Sequence, residues 1–181
     1  NISDYPVNDN NSPISIANYN GVGGSTILYS GHLLRFHPSD FKIKSLDNVG
    51  SNWPLSYKDL EKYYSLNEKM MGVAGVSGDP AYPKIKNLLP HVKLGISGDI
   101  IASAFNDLGW HWWPSYSGIA TRKIKNRKIG SKSSVDVSYW PKAISNGVKL
   151  KTDTRVLKIL TDQKGNVNGV VYKDKQNTER F

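Results

Sequence analysis

Residues Asn20 to His32 read NGVGGSTILYSGH, in which Gly21, Gly23, Gly24, Ser25 and Thr26 stand directly ahead of an apolar run. Glycine has no Cβ, so such a stretch takes positive φ readily and brings backbone N–H groups close to an anion, with the two hydroxyls as further donors. The dinucleotide fingerprint, however, is G-x-G-x-x-G between a strand and a helix, whereas these glycines are spaced G-x-G-G behind a polar approach. Spacing alone leaves two readings open, a phosphate-binding turn and a purely structural one.

Upstream, Asn1 to Tyr19 is rich in Asn, Ser, Asp and Pro without an apolar period, and reads as an irregular approach rather than a first strand. Downstream, Ile27 to Phe36 is too short and too interrupted for its period to decide between helix and strand. The stretch PLSYKDLEKYYSLNEKMMG is plainer. Ser56 with Asp59 three places on forms a capping box, apolar positions recur at helical spacing through Met71, and Gly72 stops the helix. The glycine- and proline-rich segment from Gly72 to Gly95 reads as a surface excursion. A second helix is expected from about Gly98 to Leu108, capped by Ser97 and stopped by Gly109, with Ile100, Ile101, Ala104, Phe105 and Leu108 as a core stripe. SSVDVSYWPKAISNG predicts a third helix, bent or started near Pro141 and closed by Gly147. The alternating, β-branched segment from Val148 to Gln176 predicts a strand and then a hairpin turning at Lys164, Gly165 and Asn166.

The 181 residues, 38% hydrophobic and 22% charged, are enough for one globular domain or part of one. No window approaches the ~20 consecutive apolar residues of a membrane helix, and no secretory leader is visible. Asn1 is not a methionine and Phe181 follows directly on a strand-like run, so an internal piece of a longer protein is expected. The absence of cysteine excludes disulfides and thiolate metal sites, and says nothing decisive about compartment, so cytoplasm and periplasm both stay open. A formal net charge of +9 is concentrated in TRKIKNRKIGSK, at Arg122, Lys123, Lys125, Arg127, Lys128 and Lys132. That run reads as a solvated loop. Its class alternative is a nucleic-acid or polyanion surface, since Trp110, Trp112 and Trp113 lie nearby; their place between an apolar helix and Pro114 suits packing better than display.

The long stretch NGVGGSTILYSGHLLRFHPSDF, followed by NWPLSYKDLEKYYSLNEKMMGV, FNDLGWHWWPS, SVDVSYWPKAISNGVKLKT and RVLKILTD with GNVNGVVY, strongly resembles the glucose-methanol-choline (GMC) family of flavin oxidoreductases. The likeness covers nearly the whole chain in order and looks closest to the bacterial gluconate and sorbosone-type dehydrogenases. It implies an α+β fold, an incomplete part of an FAD-binding domain with several helices and a small C-terminal β-meander, over residues 1–181. It implies FAD as cofactor, with Gly23, Gly24, Ser25 and Thr26 against the pyrophosphate and the flavin edge, and Tyr29 and Gly31 near the ring. Tyr29 stands where many members carry Asn or His. Leu28 falls nearest the histidine through which some relatives bind flavin covalently, so the flavin is expected to be non-covalent. The strand TRVLKIL resembles the one whose backbone meets the adenine, which nominates Val156, with plain core as the alternative.

The same resemblance places the first βαβ unit before Asn1 and the catalytic histidine after Phe181, so no catalytic residue is expected in this chain, which alone should be inactive and bind FAD weakly. It also makes the Lys128 to Gly130 junction a shortened loop. The implied substrate is a small alcohol, sugar or sugar acid, with no nucleic-acid partner. His32, His37, His91 and His111 lack the carboxylate pattern of a metal site and read as satisfied or solvent-facing, with His32, just after the bend, the one to watch. Scattered carboxylates give no glycosidase pair, and no serine carries a nucleophile elbow. A non-catalytic interaction domain is the third class of reading.

Overall fold

A computed structural model describes residues 8–124, 127–176 and 178–180, so Lys125 of the basic run lies outside the described residues, as do Asn1 and Phe181. The chain forms two compact units, Asn1–Lys142 and Ala143–Phe181.

In the first unit, residues 8–23 form no helix or strand. A 3-10 turn at Gly24–Ile27 follows, then a second at Pro38–Lys42 leading into α1, Ile43–Asp47. The helix α2, Tyr57–Met71, begins and ends where its residues dictate: Ser56 and Asp59 close the capping box, and Gly72 takes φ 67°. Its inner face carries Tyr57, Glu68 and Met71. The glycine- and proline-rich segment after it is not a surface excursion. Val73, Ala74, Ile85 and Leu89 are all buried, and Val73 and Ile85 join Met71 and Tyr116 in the hydrophobic core. Irregular backbone is tolerated there because neighbouring loops satisfy it, as buried N–H and C=O groups require. Ala74 exchanges hydrogen bonds with Ser117, Leu89 N–H donates to Val73 O, and Gly75 N–H donates to Leu89 O. Gly75 has no room for more: a Cβ there would stand 2.4 Å from the Tyr116 ring.

The helix α3 spans Gly95–Asp107, three residues earlier than expected, so Ser97 lies inside it and caps nothing. Its apolar stripe is not core. Ile96, Ile100, Ile101 and Leu108 are all more than half exposed, and Ala102 is the buried residue of the helix. The pattern is amphipathic, but no described residue of this unit covers that face. The third expected helix is broken as Pro141 requires, into α4, Val135–Ser138, and α5, Trp140–Ser145, and it is closed at Gly147, φ 86°.

The second unit is a three-stranded antiparallel sheet in the order β1-β2-β3, with β1 Arg155–Thr161, β2 Val167–Lys173 and β3 Glu179–Arg180. Residues 148–153 form no strand. The β1–β2 turn sits where expected: Asp162 accepts from the backbone N–H groups of Lys164 and Asn166, and Gly165 takes φ 81°. The whole is α+β, helices followed by a small β-meander.

Candidate functional site around the glycine bend

Gly23 and Gly24 both lie in the left-handed region, at φ 94° and 57°, but their surroundings differ. A Cβ on Gly23 would meet Ile27 at 3.0 Å and Asp136 at 3.2 Å, so Gly23 faces the protein. Gly24 has nothing within 4 Å of the same position. Ser25 is exposed; its Oγ accepts from Tyr19 N–H at 3.3 Å, which leaves its own hydrogen to donate. The bend therefore turns one glycine inward as packing and one glycine and one serine outward into open space. That is room and donor chemistry fit for a phosphate edge.

The hydroxyls of Thr26 and Tyr29 are committed to the chain itself. Thr26 Oγ1 donates to Gly23 O and accepts from Val135 N–H at 3.1 Å. Tyr29 OH donates to Ser133 O. Burial pushes the Tyr29 phenol up, opposed by the charge of Arg127, which keeps it protonated and able to donate. Gly31, buried at φ 90°, accepts from Gly118 N–H at 2.7 Å, and Ser133 N–H donates to Gly118 O at 2.6 Å. Gly118 permits this contact because a Cβ there would lie 2.6 Å from Tyr29 Oη. In the second unit Val156 lies on β1 opposite Tyr172 and is half exposed.

The basic run is only partly a solvated loop. Arg122, Lys123 and Lys128 are exposed. Arg127 instead donates to Met71 O at 2.7 Å and Ser131 O at 3.3 Å, and burial pushes its guanidinium down. Lys132 reaches back to the bend: its Nζ donates to Ile27 O at 2.9 Å and Tyr29 O at 2.6 Å and lies 5.2 Å from the centre of the Tyr29 ring. Nothing in the sequence marks Lys132 out from the other cations of the run, because its partners are more than 100 positions away.

The histidines are accounted for locally. His32 meets Ser115 Oγ at 3.0 Å, His37 stacks on Tyr82 and meets Ala81 O, and His111 pairs with the buried Asp79 at 3.0 Å. Among the described residues no three metal-ligating side chains cluster, and no helix is long and apolar enough to cross a membrane. Trp113 Nε1 donates to Val76 O and its ring packs on the core, whereas Trp110 stays 60% exposed.

Against known proteins, the sequence model of a family described as GMC oxidoreductase matches residues 7–181. A 2-methyl-1,2-propanediol dehydrogenase of Mycolicibacterium austroafricanum is 38% identical over 94% of this chain and 33% of its own length. A fructose dehydrogenase large subunit of Gluconobacter japonicus is 41% identical over 35% of the chain and 12% of its own. A 6'''-hydroxyparomomycin C oxidase of Streptomyces lividus is 25% identical over 86% and 32%. The chain thus spans at most about a third of the length of these curated relatives.

Proposed function

Since this chain belongs to the GMC oxidoreductase family, we propose that the protein carrying it is an FAD-dependent oxidoreductase that oxidises the CH–OH group of an alcohol, sugar or sugar acid. The relatives named for 2-methyl-1,2-propanediol, fructose and 6'''-hydroxyparomomycin C support that substrate class. Bound flavin supplies the two-electron acceptor that no side chain provides. The chain's own part is to hold and orient. Gly24 and Ser25 would lie against the cofactor's diphosphate, with Gly23 and Thr26 shaping the bend behind them, Tyr29 and Gly31 bounding the ring edge, and Val156 offering backbone to the adenine.

The observation that carries this reading is the pairing at the bend of Gly24, left-handed with its side-chain position open, and the exposed Ser25, whose hydroxyl has a hydrogen left to donate, within the stretch that the family model matches. Open space alone does not set Gly24 apart, since the turn and helix-end glycines Gly109, Gly147 and Gly165 share it; the donor beside it does. The complete protein should purify yellow, and acid precipitation should release about one flavin per chain into the supernatant. Colour left in the pellet would refute non-covalent binding; no flavin in either fraction would refute the cofactor. Gly24→Ala should weaken flavin retention well beyond its effect on stability, because the new methyl points at the ligand.

A further inference from the structure

Resting on the flavin reading of the bend, we infer that Lys132 is a positioning residue for the cofactor: its ammonium fixes the outward shape of the Gly24–Gly31 segment from behind. Four side-chain or backbone tethers cross from residues 132–135 to the bend. Two of these are made by Lys132, and they are the charged ones. Nζ spans Ile27 O, where the short 3-10 turn ends, and Tyr29 O, two residues on. A turn that ends leaves carbonyls without partners, and a cation is the strongest donor they can be offered. The stem of the same side chain runs beneath the bend, with Cγ and Cδ at 3.7 and 3.8 Å from a Cβ built on Gly31, and the charge lies over the Tyr29 ring.

No atom of Lys132 lies within 4 Å of the open side-chain position of Gly24. Lys132 therefore does not need to touch the cofactor. It holds Leu28 and Tyr29 so that the preceding residues face outward, and a site held in advance binds more tightly than one ordered on binding. A thioether of similar length fills the same space without donating, whereas a guanidinium can bridge both carbonyls. Lys132→Met and Lys132→Arg therefore separate hydrogen bonding from bulk.

In the complete protein, Lys132→Met should raise the flavin dissociation constant about tenfold or more and Lys132→Arg by less than about threefold. Ile85→Ala, which weakens the core away from the bend, should leave the constant near wild type while lowering the melting temperature. Without flavin, hydrogen exchange at the Leu28 and Tyr29 amides, both bonded to Ser25 O, should quicken about tenfold in Lys132→Met. Unchanged flavin affinity and unchanged exchange in Lys132→Met would overturn the inference. So would an equal loss in all three variants, which is the signature of general destabilisation. A wild-type protein that holds no flavin would instead refute the cofactor reading itself, and the exchange measurement would then report on the tether alone.

Discussion

The two adjacent glycines of the bend differ in what a single methyl would do to them. At Gly23 the methyl meets Ile27 and the backbone of Asp136 in a left-handed residue, so Gly23→Ala should cost about 2 kcal/mol or more, read by chemical denaturation. At Gly24 the same change costs only the backbone term, about 1 kcal/mol. Stability should therefore rank Gly24→Ala above Gly23→Ala. The second residue-scale prediction concerns Arg35, 4% exposed, whose guanidinium forks onto both oxygens of the buried Glu68 at 2.5 and 2.6 Å and reaches Tyr57 at 2.8 Å. Burial pulls the guanidinium pKa down, but the bonds to Glu68 and Tyr57 outweigh it and the net shift is upward. Glu68→Gln leaves a buried cation half paired, which should cost about 3 kcal/mol. The double variant Arg35→Met/Glu68→Met should recover most of that loss, because an apolar pair carries no desolvation penalty. If the double variant is no better than the single one, the pair contributes more than mutual neutralisation.

The secondary-structure elements were legible wherever the signal was local. Ser56, Asp59 and Gly72 mark α2 because capping chemistry acts within one turn, and the β1–β2 turn is visible in Lys164, Gly165 and Asn166 for the same reason. The segment 73–89 was misleading: glycine and proline exclude regular structure but do not dictate exposure, and its bonds to Leu89 and Ser117 are set by the tertiary fold. The stripe of α3 was read correctly as amphipathic and wrongly as covered, since periodicity reports a face and not its partner. Replacing Ile100 and Ile101 by Glu in this chain should change its stability by less than about 0.5 kcal/mol each and reduce its self-association in light scattering. A marked loss of stability would mean that the face is already covered. Acid tests the capped ends. The Asp59 carboxyl is held below its ordinary value of 3.8 by hydrogen bonds from Ser56, and Asp162 and Asp174 are held low by Asn166 and Thr178. Because the folded-state values are depressed, this stabilisation is complete above pH 3.8 and is lost as pH falls through the lower folded values. Asp59→Asn should flatten that acid-side loss of helix signal in circular dichroism, and an unchanged profile would show that the cap contributes nothing at low pH.

For the molecule as a whole, a net charge of +9 and six cations between Arg122 and Lys132 made a polyanion surface the rival reading, and the structure removes part of its basis. Arg127 and Lys132 are turned inward onto backbone carbonyls, and Asp136 lies beside the bend at Gly23, so the run offers fewer outward charges than its sequence counts. The family was legible because its motifs are contiguous words; the role of Lys132 was not, because a contact spanning some 100 residues leaves no local trace. The difference is measurable as a salt slope. Each phosphate neutralised contributes about −0.9 to the slope of log affinity against log salt on duplex DNA, so a dedicated surface using six cations would give a slope near −5. Arg122, Lys123 and Lys128 are the exposed cations among the described residues of the run, and binding through these three alone would show a slope of about −3. Neutralising Lys123 and Lys128 together should then take away about two-thirds of that slope while leaving flavin retention by the complete protein unchanged. A steeper slope in the wild type, or loss of flavin in the neutralised variant, would show that the run acts as one electrostatic surface and that its inward and outward cations have been separated wrongly.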